Sequence, residues 1–411
     1  MNIFHKVTLQ NMKKNRTRTL VTIIGVILST AMITAVATFA ISLQDYMVRG
    51  AEQKYGDWHV EFLDVSADFA KKQAQNKDVL KTAEFEDIGY GELTGGKNPN
   101  KPYLFVAGFN QKTFDTLPVK MLSGRLPKSS QEVVIPAHVA ANGGVKYAIG
   151  ETLSLTIGDR MKGNKRLNQH DAYDDLQKEL ESLSLRETRS YKIVGICERP
   201  GFEEKSAPGY TLITLADKAE KQKNLSVFVT FKNPRKARSY ADNTEINQSY
   251  TLNDEVLRFM GVSDDTVFNL LLYSIGTILV ALIMLGSVFL IYNSFTISLN
   301  ERMQQFGILA SVGATPKQLR NSVLFEGLCI GIVGIPFGIL LGISSIKIVI
   351  TLVAKNFNNL LYSNNSLDLT LSVPILLAAA AVSLITIVIS ASIPARKAAN
   401  TPVMESIRQS N

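Results

Sequence analysis

Four apolar windows decide what this chain can fold into. They run from about Leu20 to Leu43, Val267 to Leu299, Val323 to Val353 and Leu369 to Ile393. A helix of about 20 apolar residues crosses a bilayer core, so each window is long enough to span one. A single window is compatible with a buried core helix, but four of them bounded by charges read as transmembrane helices. The composition agrees: 46% of the 411 residues are hydrophobic and only 19% are charged, against about 25% charged in an average soluble domain. The net charge of +8 is unevenly spread, which weakens a nucleic-acid reading.

Lysine and arginine in the short flanks set the orientation. Lys6, Lys13, Lys14, Arg16 and Arg18 precede the first span, and Arg302, Lys317 and Arg320 lie between the second and third. Arg396, Lys397 and Arg408 follow the fourth, whereas the other short loop holds only Lys355. The predicted layout is a cytoplasmic N-terminal segment (1–19), spans at 20–43, 267–299, 321–353 and 369–394, a cytoplasmic loop (300–320), an outer loop (354–368) and a cytoplasmic tail (395–411). Residues 44–266 are then outside, in a multi-pass protein of the cell membrane. The first window is longer than a signal peptide's apolar region of roughly 7–15 residues, so it is read as a retained anchor.

The outer segment is long enough to build its own core. Strand-like Trp58–Phe62 precedes a helical pattern from Phe69 to Phe85. Near the far end, strand Leu225–Phe231 precedes a helix from Pro234 to Ile246, with proline at its start. Between them lie strand-like Tyr103–Phe109, Glu132–Ile135, Thr152–Ile157, Tyr191–Ile196 and Tyr210–Leu215. The expected fold class is a four-helix α-helical membrane protein with an α+β extracytoplasmic domain. That domain is a split α/β lobe carrying an inserted β-rich lobe over about 101–219. Asp171–Arg186, with Leu176, Leu180 and Leu183 on one helical face, predicts a short amphipathic helix, packed on its own lobe or serving as a partner-binding arm.

Catalytic chemistry finds little support. Gly91-Glu92-Leu93-Thr94-Gly95-Gly96-Lys97-Asn98 approaches a phosphate-binding loop, but Asn98 and Pro99 stand where Ser or Thr and a helix start are needed. His5, His59, His138 and His170 are scattered without metal-ligand spacing. Cys197 falls in the outer domain and Cys329 in the third span, so they do not pair. No catalytic or metal site and no cofactor are expected on this chain.

Two features point instead to mechanics. In the third span Gly334, Gly338 and Gly342 recur every fourth residue, with Gly327 and Gly331 on a neighbouring stripe. Small-residue rows let helix backbones approach closely in lipid, and Pro336 among them removes a backbone donor. Glu326, near the cytoplasmic start of this span, either faces protein or reaches the interface, because a charge in lipid is costly. The second feature is the loop from Glu301 to Pro316. Phe306, Leu309 and Ala310 share a helical face with Arg302 and Met303. Gly313 ends that helix, and Thr315-Pro316 starts another. Such an aromatic–apolar face suits docking into a groove on another protein.

This layout resembles the FtsX-like, or MacB-type, permeases of type VII ABC transporters. Glu301-Arg302 to Gly307-Ile308-Leu309, then Gly313-Ala314, resembles the family's coupling region. Glu326-Gly327 and the closing Pro394-Ala395-Arg396-Lys397-Ala398-Ala399, with Pro402 and Ile407-Arg408, also fit. Outside, Leu122-Ser123-Gly124-Arg125-Leu126-Pro127, Glu132-Val133-Val134-Ile135, Gly150-Glu151-Thr152-Leu153 and Lys192-Ile193-Val194-Gly195-Ile196 look like the family's outer-domain signature. The resemblance implies a porter-like split lobe, a separate cytoplasmic ABC ATPase holding the ATP and Mg, and a second permease copy or half. It implies ATPase coupling through Glu301, Arg302, Gln305, Phe306, Gly307 and Leu309, where Gln305 replaces a second acid often found in the family. It further implies mechanotransmission, for export of or defence against a peptide, such as an antimicrobial peptide, or a lipid-linked substrate, with an extracytoplasmic peptide, lipid or protein as partner. Regulation of a cell-wall hydrolase by the same stroke, or an anchored receptor without energy input, are the alternative readings.

Overall fold

The computed structural model describes residues 3–173, 181–217, 224–243, 249–300, 303–357 and 365–400. The chain divides into two compact units, Met1–Met47 with Leu270–Asn411, and Val48–Asn269. Helix α1 (Ile3–Lys14) is followed by α2 (Arg16–Tyr55). At 1.5 Å per residue, the 40 residues of α2 extend about 60 Å, twice the thickness of a bilayer core.

The second unit contains β1 (Val60–Val65), α3 (Ala67–Ala74), β2 (Val79–Glu92), β3 (Tyr103–Phe109), α4 (Gln111–Thr116), β4 (Met121–Gly124), β5 (Glu132–Pro136) and α5 (His138–Ala141). It continues with β6 (Thr152–Lys162), β7 (Lys165–Leu167), β8 (Glu181–Cys197), β9 (Gly209–Leu215), β10 (Leu225–Phe231), α6 (Ala237–Asn243), β11 (Tyr250–Leu252) and α7 (Asp254–Leu257). Helix α8 (Thr266–Asn300) begins in the second unit and continues in the first, where α9 (Met303–Ser311), α10 (Pro316–Phe357) and α11 (Val373–Asn400) follow. Among the described residues, helices α2, α8, α10 and α11 are the four long and apolar enough to cross a membrane. Apolar side chains such as Leu270, Leu282 and Phe289 stay exposed along α8, as helices facing lipid require.

The eleven strands among the described residues form one sheet. The segments entering and leaving the second unit meet at one end of it, where β1 pairs antiparallel with both β10 and β11. Helices α3 and α6 help close a core there of Phe62, Val79, Val227, Val229, Phe231 and Ala241. The expected β-rich lobe is not a separate sheet. Strand β2 pairs with β10 along its first half and with β3 along its second, so both regions share it. Beyond it, β3, β9, β5, β8 and β6 follow in order, and β6 returns to β2 at Gly158↔Tyr90. This closed ring surrounds Ile88, Val106, Val133, Ile157, Tyr191 and Leu212. Closure needs a sharp bend in β2, which a register shift provides at Asp87/Gly89, with Gly89 at φ +136°. A Cβ at Gly89 would also lie 2.8 Å from Gly158 O, so only glycine fits there.

Two helical expectations fail for the same reason. The helix predicted over Phe69–Phe85 ends at Ala74, and residues from Val79 onward are strand, held between β10 and β3. Of the Asp171–Arg186 helix, 174–180 lie outside the described residues. Glu181–Arg186 begin β8, where Leu183 pairs with Arg160 and Ser182 with Met161. Long-range strand pairing overrides local helical periodicity in both.

Buried ion pairs lock the ring. Arg160 on β6 is fully buried: Nε and Nη2 donate to Glu181 at 2.6 and 2.9 Å, and Nη1 to the carbonyls of Asn168 and Asp171. Its guanidinium lies over the rings of Tyr90 and Tyr103, at 5.3 and 5.6 Å. Arg166 on β7 pairs with Asp64 (β1), Asp87 (β2) and Asp159 (β6) at 2.8, 3.2 and 3.1 Å, tying four strands together. Burial pushes the Asp87 carboxyl up to about 7 in spite of Arg166. His170 lies between Glu204 and Glu61, at 2.8 and 3.4 Å. Burial alone would lower its pKa, but the two carboxylates raise it to about 10.

Two outcomes follow, both readable through Trp58, the chain's single tryptophan, which packs edge-on to Phe228 in this domain. Arg160→Met strands the buried Glu181 carboxylate, so denaturant unfolding should show a loss of about 3–5 kcal/mol; a loss below about 1 kcal/mol would refute the role given to the pair. His170 has its folded pKa above its unfolded value, so its stabilisation is complete below about 6.5 and disappears as pH rises towards about 10. The unfolding midpoint should therefore fall over that window, and His170→Gln should flatten this dependence.

Candidate functional site

Helix α9 is punctuated as its sequence dictates. It ends at Gly313 (φ +99°), whose N–H donates to Ala310 O while Ala314 N donates to Leu309 O, a glycine C-cap. Helix α10 then starts with a reciprocal box: Thr315 N donates to Gln318 Oε1 at 2.8 Å, and Gln318 N to Thr315 Oγ1 at 3.4 Å. Pro316 occupies the first helical position, where its missing N–H costs nothing.

The face of α9 expected to dock outward is turned inward. Met303 and Phe306 are 4% and 2% exposed and pack with Leu319 and Val323 of α10 and Ala395 of α11. Leu309 and Ala310 border this cluster, and Gly307 is also buried. On the other side Gln305, Ile308 and Val312 are exposed, Val312 at 83%. Asn11 of α1 donates to Gln305 Oε1 at 3.3 Å, and Thr8 hydrogen-bonds Ser322 of α10 at 2.7 Å. Helix α1 therefore braces both α9 and the start of α10, a contact that sequence spacing could not reveal. Glu301 and Arg302, also expected here, lie outside the described residues, as do Pro402, Ile407 and Arg408.

The two glycine stripes of α10 serve different partners. Gly334, Gly338 and Gly342 face α2: a Cβ at Gly338 would lie 2.5 Å from Thr30 Cβ and 2.8 Å from Ile27 O, and one at Gly342 2.6 Å from Ala31 O. Gly327 and Gly331 face Phe295 of α8 and Ile387 and Ala391 of α11, at ordinary or slightly close contact. All four long helices meet in the cluster of Val26, Ile291, Phe295, Ile330, Ile387 and Ala391. Pro336 lies inside α10 on an exposed face without ending the helix. Glu326 is 3% exposed, so it is enclosed by protein, whereas Arg320 is exposed. Above this seam, the 365–370 stretch is fixed to α2, with Asn365 Nδ2 donating to Tyr46 O and Thr370 Oγ1 to Asp45.

Among the described residues no cluster of metal-ligating side chains occurs. Cys197 is buried, and burial pushes its thiol up to about 12, which leaves it unreactive. The seam makes a direct test available. Gly338→Leu should force α2 and α10 apart and sharply reduce folded protein recovered from membranes. Gly286→Leu, added where nothing lies within 4 Å, should leave recovery unchanged; equal recovery of both would place the critical packing elsewhere.

Comparison with known proteins adds an independent line. One family model, a MacB-like periplasmic core domain, matches residues 19–245, more than half of the chain, and another, an FtsX-like permease C-terminal region, matches residues 277–403. The ABC transporter permease YtrF of Bacillus subtilis (strain 168) is 24% identical over 442 aligned residues, with 97% of each chain covered. The uncharacterized ABC transporter permease protein Rv0987 of Mycobacterium tuberculosis is 29% identical over 135 residues, or 33% of this chain and 16% of that one. The extracellular domain of the noncanonic ABC-type transporter YknZ from Gram-positive bacteria matches 47% of this chain and 98% of its own length, at 8% identity and a TM-score of 0.27. An anchored MacB-like core followed by an FtsX-like helical region accounts for nearly the whole length, and the chain belongs to the FtsX-like, MacB-type family of ABC transporter permeases.

Proposed function

We propose that this permease is a non-catalytic, mechanotransmitting subunit driven by a separate ABC ATPase that docks on the exposed side of α9. The observation carrying this reading is the two-sidedness of that helix. One face is fixed by Met303 and Phe306 to α10 and α11, and the other offers Gln305, Ile308 and Val312. A displacement applied to the exposed face passes through the packing of Met303 and Phe306 into α10 and α11. The lysines and arginines flanking the spans favour placing α9 and both termini in the cytoplasm. Membership of the family supports pairing of two permease units.

The stroke would then pass through α2 and α8, which run unbroken from the first unit into the residues of the second. The glycine contact between α2 and α10 supplies close, hard packing that favours discrete arrangements over gradual deformation. ATP and Mg belong on the partner, and the cargo is proposed as a peptide or lipid-linked molecule.

The test is co-purification from host membranes in mild detergent, assayed for ATP hydrolysis. Ile308→Asp with Val312→Asp places two charges on the exposed face, and should lower co-purifying ATPase at least tenfold while the chain stays folded. Phe306→Asp should instead reduce folded protein, because its ring is internal. Undiminished ATPase with the double variant would refute docking at this face.

A further inference from the structure

The extramembrane domain contains a cleft of about 600 Å³ that the reading above does not use. Its wall includes Lys101, His138, Arg199 and Lys205, with Asn98 and Asn142, and among the described residues no carboxylate lines it. Two carboxylates lie behind the wall: Glu204, which takes His170 Nδ1 at 2.8 Å and accepts from the lining Ser206 Oγ at 3.4 Å, and Glu203. Glu203 is fully buried, and its Oε1 takes Lys101 Nζ at 2.9 Å, His138 Nε2 at 2.9 Å and Arg199 Nε at 3.2 Å. Its Oε2 accepts from Thr211 N at 2.8 Å. Burial on its own would raise the Glu203 carboxyl, but His138 and Lys101 hold it down to about 2, so it stays ionised.

The buried Glu203 thus holds Lys101, Arg199 and His138, with burial lowering the pKa of the Lys101 ammonium against the pull of Glu203, and Lys205 adds a further cation in the exposed loop. Among the described residues, Lys101, Arg199 and Lys205 bring three cations to the cleft wall against Glu203 and Glu204 behind it, and Glu204 is shared with His170. The cleft's groups are held in place before any ligand arrives: Lys101 also donates to Ala207 O and lies over the Tyr210 ring, at 4.9 Å. Asn142 Oδ1 accepts from Tyr210 Oη and Asn98 Nδ2, both at 2.6 Å. Two buried nitrogens have no hydrogen-bond partner, His138 Nδ1 and Arg199 Nε, the latter meeting Glu203 only as an ion pair. Buried polar atoms are seldom left so, and both belong to side chains of the cleft wall. Ordered cations and amides on the wall suit an oxyanion rather than an apolar body.

We propose that this cleft binds a solute outside the membrane through a carboxylate or phosphate group, held by Arg199, Lys205 and His138. Binding here does not depend on an ATPase partner, so its test is separate from that of the permease reading.

The experiment is isothermal titration of the full chain in an uncharged detergent, without nucleotide, using inorganic phosphate and acetate against sodium chloride at equal ionic strength. Saturable binding of at least one anion is expected, weakened about fivefold or more by Arg199→Gln or by Lys205→Gln, the size of one lost charge-assisted hydrogen bond. Tighter phosphate would identify a phosphate-bearing solute and tighter acetate a carboxylate-bearing one. Lys205 is exposed, so its variant stays informative if Arg199→Gln fails to fold. No saturable heat beyond chloride, or undiminished binding in the folded variants, would overturn the proposal.

Discussion

A domain inserted between two membrane spans must bring its first and last residues back together, and this constraint organises the whole of the 48–269 unit. Strand β1 meets it by pairing with β10 and β11, whose residues lie more than 150 positions away. Once that end is closed, the intervening chain can be elaborated without altering the anchors. Strand β2 carries the elaboration: it begins in the closed end and finishes in the ring, so the two regions are continuous through backbone hydrogen bonds. A single strand shared by two cores leaves no flexible linker between them. The Arg166 knot reinforces this, since its three carboxylates come from β1, β2 and β6.

In the helical unit the corresponding constraint is the distance between backbones. Lipid offers no hydrophobic drive for helices to associate, so contact area and close approach must provide it. The α10 sequence does this twice. The Gly334–Gly342 row admits the Thr30 and Ala31 region of α2 almost to backbone contact, while Gly327 and Gly331 admit larger side chains from α8 and α11. The difference is chemical: β-branched and small residues of α2 meet the first row, and Phe295 and Ile387 meet the second. Helix α10 is thereby clamped on two sides along most of its length.

Much of this was legible in the residues. Apolar runs of more than 20 residues have few other uses, so the spans could be read directly, and the Gly313 and Thr315-Pro316 signals marked both ends of the α9–α10 turn because capping is local chemistry. Strand Leu225–Phe231 was recognisable because its two faces are both buried. What could not be read is what depends on partners distant in sequence. Periodicity within 69–85 and 171–186 favoured a helix throughout, and only pairing with β10 and β6 made strands of Val79–Phe85 and Glu181–Arg186. The Glu203 cluster draws residues from positions 101, 138, 199 and 211, which no spacing rule connects. The orientation of α9 was misjudged for a related reason: an aromatic stripe on a short helix reads equally as a docking face or an internal one. The presence of Leu319, Val323 and Ala395 opposite it decides the matter.

That inward orientation bears on how such a helix could transmit force. A side chain committed to a partner's groove would leave α9 connected to its own spans only through the backbone at each end. Phe306 instead packs against α10 and α11 at once, and α1 adds hydrogen bonds from Thr8 and Asn11. A push on Ile308 or Val312 then moves a packed body rather than a loop. Close-packed interiors have low compressibility, so on the proposed reading the displacement is delivered to the start of α10, where Glu326 and the first glycines lie. The same packing that removes Phe306 from the docking surface makes that surface mechanically useful.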